Sequence, residues 1–323
     1  MDHKHAGAAE RQLAAQDAYP GRRGGGVALL ERENILAYIL LTPAVLTLLI
    51  FVAYPFCYGV WLSLTDARIG IAGSFIGLRN FRDLLSDPIF RLTVRNTFVY
   101  TIATEIFKLS LGVAMALVLN KRFRGQRFAR AAMLLPWIAP TVLTALAWKL
   151  LFDSLFSPIN WLLTHHYILL GGWRPMAIGP SWLGRAPLPI ISLIIANIWR
   201  GMPFFGISIL AGLQTIPEDL YEAAAIDGAS AWQRFWRITL PLLRPVLSVV
   251  VLLSTILTFA DFQLIKVLTN GGPTNSTQVF ATYAYQIGIV GGSNIGRGAA
   301  ISLFMFPLLL ITVIGVLLSL RKE

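Results

Sequence analysis

Residues 298–320 read Gly-Ala-Ala-Ile-Ser-Leu-Phe-Met-Phe-Pro-Leu-Leu-Leu-Ile-Thr-Val-Ile-Gly-Val-Leu-Leu-Ser-Leu, without a charged side chain. A helix needs ~20 apolar residues to cross the ~30 Å hydrocarbon core of a bilayer, so this stretch can span one. Its Pro307 does not exclude a span, because neighbouring helices can satisfy the backbone groups that a proline leaves free. Five further, predominantly apolar stretches lie at about 35–62, 94–119, 129–152, 188–213 and 242–265. We therefore predict an all-α, polytopic membrane protein with six transmembrane helices.

The amino-acid composition agrees with this prediction. Of the 323 residues, 56% are hydrophobic and 13% are charged. An average soluble protein carries ~25% charged residues, which argues against a soluble enzyme, and a disordered chain would need the opposite composition. Cys57 is the single cysteine, so a disulfide cannot form within the chain. Residues 1–34 are polar, charged and Gly-rich, which predicts a flexible tail before a transmembrane domain at 35–323.

The positive charges predict the orientation in the membrane. The net charge is +11, and fifteen Lys and Arg residues lie in the tail, the second and fourth connections and the C-terminus, against nine in the other three connections. Since Lys and Arg concentrate in cytoplasmic loops, both termini are expected in the cytoplasm of a cell (inner) membrane. We expect the basic tract 121–130 to face anionic lipid, and we expect no nucleic-acid partner.

One polar connection, residues 214–241, has the pattern of a short helix followed by an amphipathic one. The first helix should begin after Pro217, with Glu218 and Asp219 favourable to its dipole, and Gly228 can end it. A face of small residues suits close docking of another protein, although an interfacial helix without a partner would show the same pattern. That face, at spacings i, i+3, i+4 and i+7, consists of Leu220, Ala223, Ala224 and Asp227.

The same connection resembles the coupling loop of importer permeases of the ATP-binding-cassette class. The resemblance lies in Glu-Ala-Ala at 222–224, Gly228 after three more residues, and Ile-Thr-Leu-Pro at 238–241. It implies the type I importer permease fold and a loop helix that docks into an ATPase subunit. The implied ATPase-coupling residues are Glu222, Ala223, Ala224, Asp227, Gly228, Ile238, Leu240 and Pro241.

Further segments are similar to carbohydrate permeases related to the larger membrane subunit of maltose-type transporters. These segments are Ile-Gly-Leu-Arg-Asn-Phe at 76–81, Asn96-Thr97, and Leu-Thr-Asn-Gly-Gly-Pro at 268–273 with Thr277. The resemblance implies a permease for a sugar, such as a di- or oligosaccharide or a related polyol. It also implies three partners: a second homologous permease, an ATPase dimer that binds ATP and Mg, and an extracytoplasmic sugar-binding protein.

Polar residues on the fourth and fifth stretches predict where a substrate binds. Charges within spans are costly and usually functional. Ser254, Thr258 and Asp261 share one helical spacing, and the fourth stretch carries a second polar face. Arg200 and Asp261 depart from the uncharged residues of a maltose-like site, so they could form a structural ion pair, or Arg200 could bind a phosphorylated polyol such as glycerol 3-phosphate. By position in the family, the expected substrate contacts are Asn197, Arg200, Gly201, Phe204, Thr258 and Asp261.

Catalysis by this chain is not expected. It contains no Gly-x-x-x-x-Gly-Lys-[Ser/Thr] motif for ATP, and no catalytic residue, metal site or cofactor is predicted in it. Two other classes remain as alternatives. An ion-coupled secondary transporter should show repeated broken helices and buried coupling carboxylates, and a membrane-embedded enzyme should show a catalytic cluster within its spans.

Overall fold

The computed structural model describes residues 33–165 and 179–321. The tail predicted at residues 1–34 lies outside this part of the chain, apart from two residues that begin the helix Glu33–Leu48. The chain divides into two compact units, residues 1–58 and 59–323. The first unit is helical over its described residues, with Pro43 inside the helix. The second unit contains the described helices from Arg79–Ser86 onwards.

Among the described residues, five helices are long and apolar enough to cross a membrane, and a bent pair of helices makes six if it is counted as one span. They confirm the predicted fold class, since the described residues form helices, turns and two isolated β-bridges, Thr65–Phe75 and Arg68–Ile71. We number the spans in chain order. They are Leu36–Ser63, Pro88–Asn120, the bent pair Gln126–Ile138 and Thr141–Leu151, Leu188–Leu213, Ala231–Phe259, and Ile295–Leu318.

Shorter helices connect the spans, and the described residues include three π-helical segments, two within spans and one after a short connecting helix. The π-helical segments are Leu49–Ala53, Phe235–Thr239 and Gln286–Val290. The short connecting helices are Arg79–Ser86, Pro158–His165, Glu218–Ile226, Gln263–Leu268 and Phe280–Tyr285.

The third span differs from the continuous helix predicted at 129–152. It bends by 92° between two helices that end at Ile138 and begin at Thr141. Ala139 and Pro140 are both extended at this break, with ψ of 134° and 128°. A residue before proline is disfavoured in the helical region, which explains the break. Pro203, Pro245 and Pro307 lie inside unbroken helices.

The fifth span is also displaced from its predicted bounds of 242–265. Its helix runs without a gap from Ala231 through the π-helical segment and ends at Phe259. Asp261 therefore lies beyond the helix, before the separate helix Gln263–Leu268, and not on a continuous face with Ser254 and Thr258. The amphipathic segment after Gly228 belongs to the span itself.

The second and fourth spans pack closely against each other. A Cβ atom added at Gly112 would collide with the Phe205 side chain, and one added at Gly206 would collide with Met115. Glycine at these two positions thus allows the backbones to approach, as small residues do between membrane helices. The fifth span completes this core through Leu243, Leu247 and Val250.

Candidate functional site

A polar cavity lies among the second, fourth and fifth spans and the break of the third. Its volume is about 270 Å³. Its walls combine two cationic side chains, four polar side chains and two apolar ones with a glycine. They are Lys108, Trp137, Thr141, Asn197, Arg200, Gly201, Ser254, Leu257 and Thr258.

One wall is organised around the Asp261 carboxylate. Its Oδ2 accepts hydrogen bonds from the Tyr100 hydroxyl and Asn197 Nδ2, both at 2.9 Å. Asn197 Nδ2 also donates to the Tyr100 oxygen at 2.6 Å. Arg200 Nη2 lies 3.7 Å from Asp261 Oδ2, while its Nη1 donates to Thr141 Oγ1 at 2.6 Å. Arg200 is therefore shared between a buried carboxylate and the break in the third span.

A second network of the cavity is organised around the buried Lys108 ammonium group. Lys108 Nζ donates to Glu105 Oε1 at 3.1 Å, Ser254 Oγ at 3.2 Å and Thr258 Oγ1 at 2.8 Å. The two hydroxyls in turn donate to Glu105 Oε1, at 2.8 and 2.9 Å. These four side chains form a closed network that joins the second and fifth spans, which satisfies a charge that would otherwise be costly in a membrane.

The four charged groups of these two networks differ in whether they line the cavity. Lys108 and Arg200 line it, and Glu105 and Asp261 do not. The Arg200 side chain is 21% exposed and that of Asp261 is 5% exposed. The four charged groups together carry no net charge, but the residues that line the cavity include only the two cations.

Gly201 makes room for the Lys108 network. A Cβ atom at this position would lie 2.6 Å from Lys108 Cε. Phe204, one turn further on, stacks on Trp137 with ring centroids 4.8 Å apart and planes 17° apart. Phe204 thus supports an aromatic cavity wall without being part of it.

The structure brings together most of the residues predicted as substrate contacts. Four line the cavity, and two contact lining residues from behind. The lining residues are Asn197, Arg200, Gly201 and Thr258, and the supporting ones are Phe204 and Asp261.

Sequence reasoning missed Glu105 and Lys108 as parts of this site. From the sequence alone, their spacing predicts only that the two side chains pair with each other or extend towards the membrane surface. The available signal was two charges three residues apart in an apolar stretch. Their partners Ser254 and Thr258 lie about 150 residues further along, at separations of 146 and 150 residues from Lys108.

The second candidate feature is the loop helix Glu218–Ile226, which lies between the fourth and fifth spans. Gly228 has φ of +78°, and the amides of Gly228 and Ala229 bond the carbonyls of Ala225 and Ala224. This is a Schellman motif, for which glycine is the favoured residue, and it ends the helix where the sequence predicted. Ser230 then begins the next helix through a capping box with Gln233.

The residues predicted for ATPase coupling divide into an exposed set and a supporting set. Ile226, also on the loop helix, is 87% exposed, which leaves an apolar side chain open for contact. Tyr221 ties the helix to the fifth span, since its hydroxyl lies 2.9 Å from Thr239 Oγ1. The exposed set is Glu222, Ala223, Asp227 and Gly228; the partly buried set is Ala224, Ile238, Leu240 and Pro241.

The described residues hold no group of three or more His, Cys, Asp or Glu side chains that could bind a metal ion.

A helical membrane protein with a polar cavity between its spans and an exposed loop helix has the features of a transport permease. Comparisons with known proteins support this class. The family described as "Binding-protein-dependent transport system inner membrane component" matches residues 108–321.

Two curated relatives and one solved structure extend the comparison. The trehalose/maltose transport system permease protein MalF of Thermococcus litoralis is 37% identical, covering 87% of this chain and 92% of the relative. The sulfoquinovosyl glycerol transport system permease protein SmoG of Agrobacterium fabrum is 34% identical, covering 85% and 87%. A crystal structure of a bacterial ABC transporter involved in alginate import has a chain of the same fold, with a TM-score of 0.75, 24% identity, and coverage of 90% and 96%. The chain belongs to the family of binding-protein-dependent transport system inner membrane components.

Proposed function

We propose that this chain is a membrane-spanning permease subunit of an ATP-binding-cassette importer, and that it moves a sugar or a related polyol through the polar cavity. The observation that carries the proposal is the polar cavity, which is lined by residues of the fourth and fifth spans. The exposed loop helix is the connection between these same two spans. The family membership favours this function over an ion-coupled secondary transporter or a membrane-embedded enzyme.

The chemistry of the cavity supports a polyhydroxylated substrate. Arg200, Asn197 and Thr258 offer the charged, amide and hydroxyl groups that bind sugar hydroxyls, and Trp137 offers an aromatic surface for a sugar ring. Relatives named for trehalose/maltose and for sulfoquinovosyl glycerol support the same substrate class.

The loop helix supports the proposed partners. Exposed Ile226 and Ala223 give it an apolar surface, and the Schellman motif at Gly228 fixes its end. We propose that this surface docks on an ATPase dimer that binds ATP and Mg, so that this chain is not itself an enzyme and needs no cofactor of its own. The other proposed partners are a second homologous permease, an extracytoplasmic sugar-binding protein and membrane lipid. A related alginate transporter has been crystallised with a periplasmic protein bound to an alginate pentasaccharide.

The docking proposal also defines an orientation. A loop that contacts a cytoplasmic ATPase must lie in the cytoplasm, which agrees with the excess of Lys and Arg in the connections on that side. In this arrangement both termini are cytoplasmic, residues 35–323 form the permease domain, and residues 214–241 form its coupling loop.

A phosphorylated or otherwise anionic polyol is a second candidate substrate. The observation that favours it is that two cations, Lys108 and Arg200, line the cavity while their carboxylate partners do not. A guanidinium group forks well onto phosphate, carboxylate or a similar anion. The pairing of both cations with buried carboxylates favours a neutral sugar instead.

Reconstitution of the chain with its partner permease, ATPase and binding protein tests the proposal. We expect ATP turnover to be stimulated by a sugar-loaded binding protein. Arg200→Gln should lower uptake by about 10-fold or more, since hydrogen bonds to charged groups contribute ~1.5–3 kcal/mol.

The matched control for this experiment is Arg82→Gln, at an exposed arginine in the connection between the first two spans. A panel of neutral and phosphorylated sugars distinguishes the two substrate candidates. Wild-type uptake of every substrate by Arg200→Gln would contradict the cavity assignment.

A further inference from the structure

An open groove lies where the second span ends, beside the loop helix and the start of the fifth span. Its volume is about 720 Å³. Val113, Leu117 and Phe235 contribute apolar surface, and Lys121, Arg234 and Tyr221 contribute polar groups. We call it the basic groove. It shares no lining residue with the polar cavity.

The basic groove is amphipathic along its length. Its wall on the second span runs from Ser110 to Asn120, which is ~15 Å at 1.5 Å per residue. That is about half of a ~30 Å hydrocarbon core, or one leaflet. Lys121 follows directly at the end of the helix, so the cationic part of the groove lies at the end of the apolar part.

The charge in the groove is of one sign. No Asp or Glu is among its lining residues, and Lys121 and Arg234 make no ion pair with the described part of the chain. Two uncompensated cations above an apolar channel match the headgroup and acyl chain of an anionic phospholipid.

Exposed aromatic side chains indicate the level of the membrane surface. Trp232 and Trp236 are 69% and 49% exposed, their rings lie 5.5 Å apart, and Trp232 lines the groove. Tryptophan is enriched at headgroup level in membrane proteins. The cationic end of the basic groove is thus at the height where lipid headgroups lie.

We propose that the basic groove binds one anionic phospholipid of the adjoining leaflet, with its headgroup on Lys121 and Arg234 and an acyl chain along Val113 and Leu117. The lipid would contact the loop helix, because Tyr221 lines the groove and bonds Thr239. The lipid composition of the membrane would then act on the loop helix without reaching the cavity.

The test is photo-crosslinking of the full transporter complex in nanodiscs, using photoactivatable phosphatidylglycerol or phosphatidylcholine. We expect phosphatidylglycerol to label peptides 110–121 and 231–239 preferentially. Lys121→Gln with Arg234→Gln should reduce that preference by about 5-fold for each charge removed, which corresponds to the usual contribution of a basic residue near an anionic surface. Arg82→Gln, at an exposed arginine that lies outside this basic tract and does not line the groove, should leave it unchanged.

Three results would overturn the proposal. Equal labelling by the two lipids would show that the groove does not distinguish an anionic headgroup from a zwitterionic one. Protection of the groove by a protein subunit, seen as protein–protein crosslinks there, would assign another occupant. Full competition by inorganic phosphate would indicate a free anion. Size-exclusion profiles of the variant complexes check assembly, and labelling does not depend on transport, so its outcome is independent of the substrate assignment.

Discussion

The polar cavity and the loop helix differ in the burial of their side chains and in the contacts that those side chains make. In the cavity, Lys108 and Glu105 are buried; the Lys108 ammonium group donates three hydrogen bonds within the chain and Glu105 Oε1 accepts three, while Glu105 Oε2 has no partner among the described residues. On the loop helix, Glu222 and Ile226 are exposed, and Ile226 is packed against nothing that would bury it. The difference indicates that the cavity is organised before any ligand arrives, whereas the loop surface is left for a partner. Mutations should therefore affect stability at the first region and coupling at the second.

The largest effect is expected from Glu105→Leu. It leaves the Lys108 ammonium buried without its carboxylate, and breaking one side of a buried ion pair costs ~3–5 kcal/mol. Denaturant or thermal unfolding of the purified chain measures the loss.

The double variant Glu105→Leu with Lys108→Met is the informative comparison for this loss. It removes both charges and should recover much of the stability. Equal unfolding of the single and double variants would show that the pair is not the source of the loss. Ile106→Leu, at an exposed neighbouring position, serves as a control for substitution in the same span.

Gly228→Val should act on coupling instead of on the cavity. A β-branched residue is disfavoured at φ of +78°, with a cost of at least ~1–2 kcal/mol that the end of the loop helix must absorb. We expect ATP turnover stimulated by the loaded binding protein to fall about 10-fold or more, with the chain still inserted in the membrane.

Gly70→Val is the matched control for the coupling variant. Gly70 also has φ of +78°, and a Cβ atom meets nothing within 4 Å at either glycine. The two variants thus carry the same backbone strain in different connections. Similar loss of turnover in both would mean that strain alone, and not the loop helix, is responsible.

The smallest effect is expected from Ser230→Ala. It removes the side chain that caps the helix after Gly228, and loss of such a cap costs ~0.5–2 kcal/mol. Amide hydrogen exchange should become faster in residues 231–234, with little change in the overall unfolding transition. Unchanged exchange there would show that the capping box does not hold this segment.

The loop could be predicted from the sequence because its determinants are local. Gly228 and Ser230 act within a few residues, and the structure places the helix ends where their chemistry requires. The spans could be predicted equally well, since the length of an apolar stretch is enough to identify them. The break at Pro140 was missed because proline is tolerated in many membrane helices, and Pro203 and Pro307 are examples in this chain.

The cavity was less predictable because its contacts join distant parts of the chain. Helical spacing found Arg200 and Thr258, but it placed Asp261 on a helix that ends at Phe259. The partnership of Lys108 with Thr258 spans 150 residues, and no periodicity encodes it. The sequence signalled only that a charged pair in an apolar stretch needed an explanation.

The network around Lys108 determines which hydrogen bonds the cavity can offer to a ligand, because its own donors are already used. An ammonium group has three N–H donors, and all three are engaged. The hydroxyl protons of Ser254 and Thr258 are also used, so this wall offers lone pairs but not protons. Arg200, which also lines the cavity, keeps N–H groups free to donate. A polyol in the cavity would therefore give protons to the two hydroxyls and receive them from Arg200, and a ligand unable to do both would fit poorly.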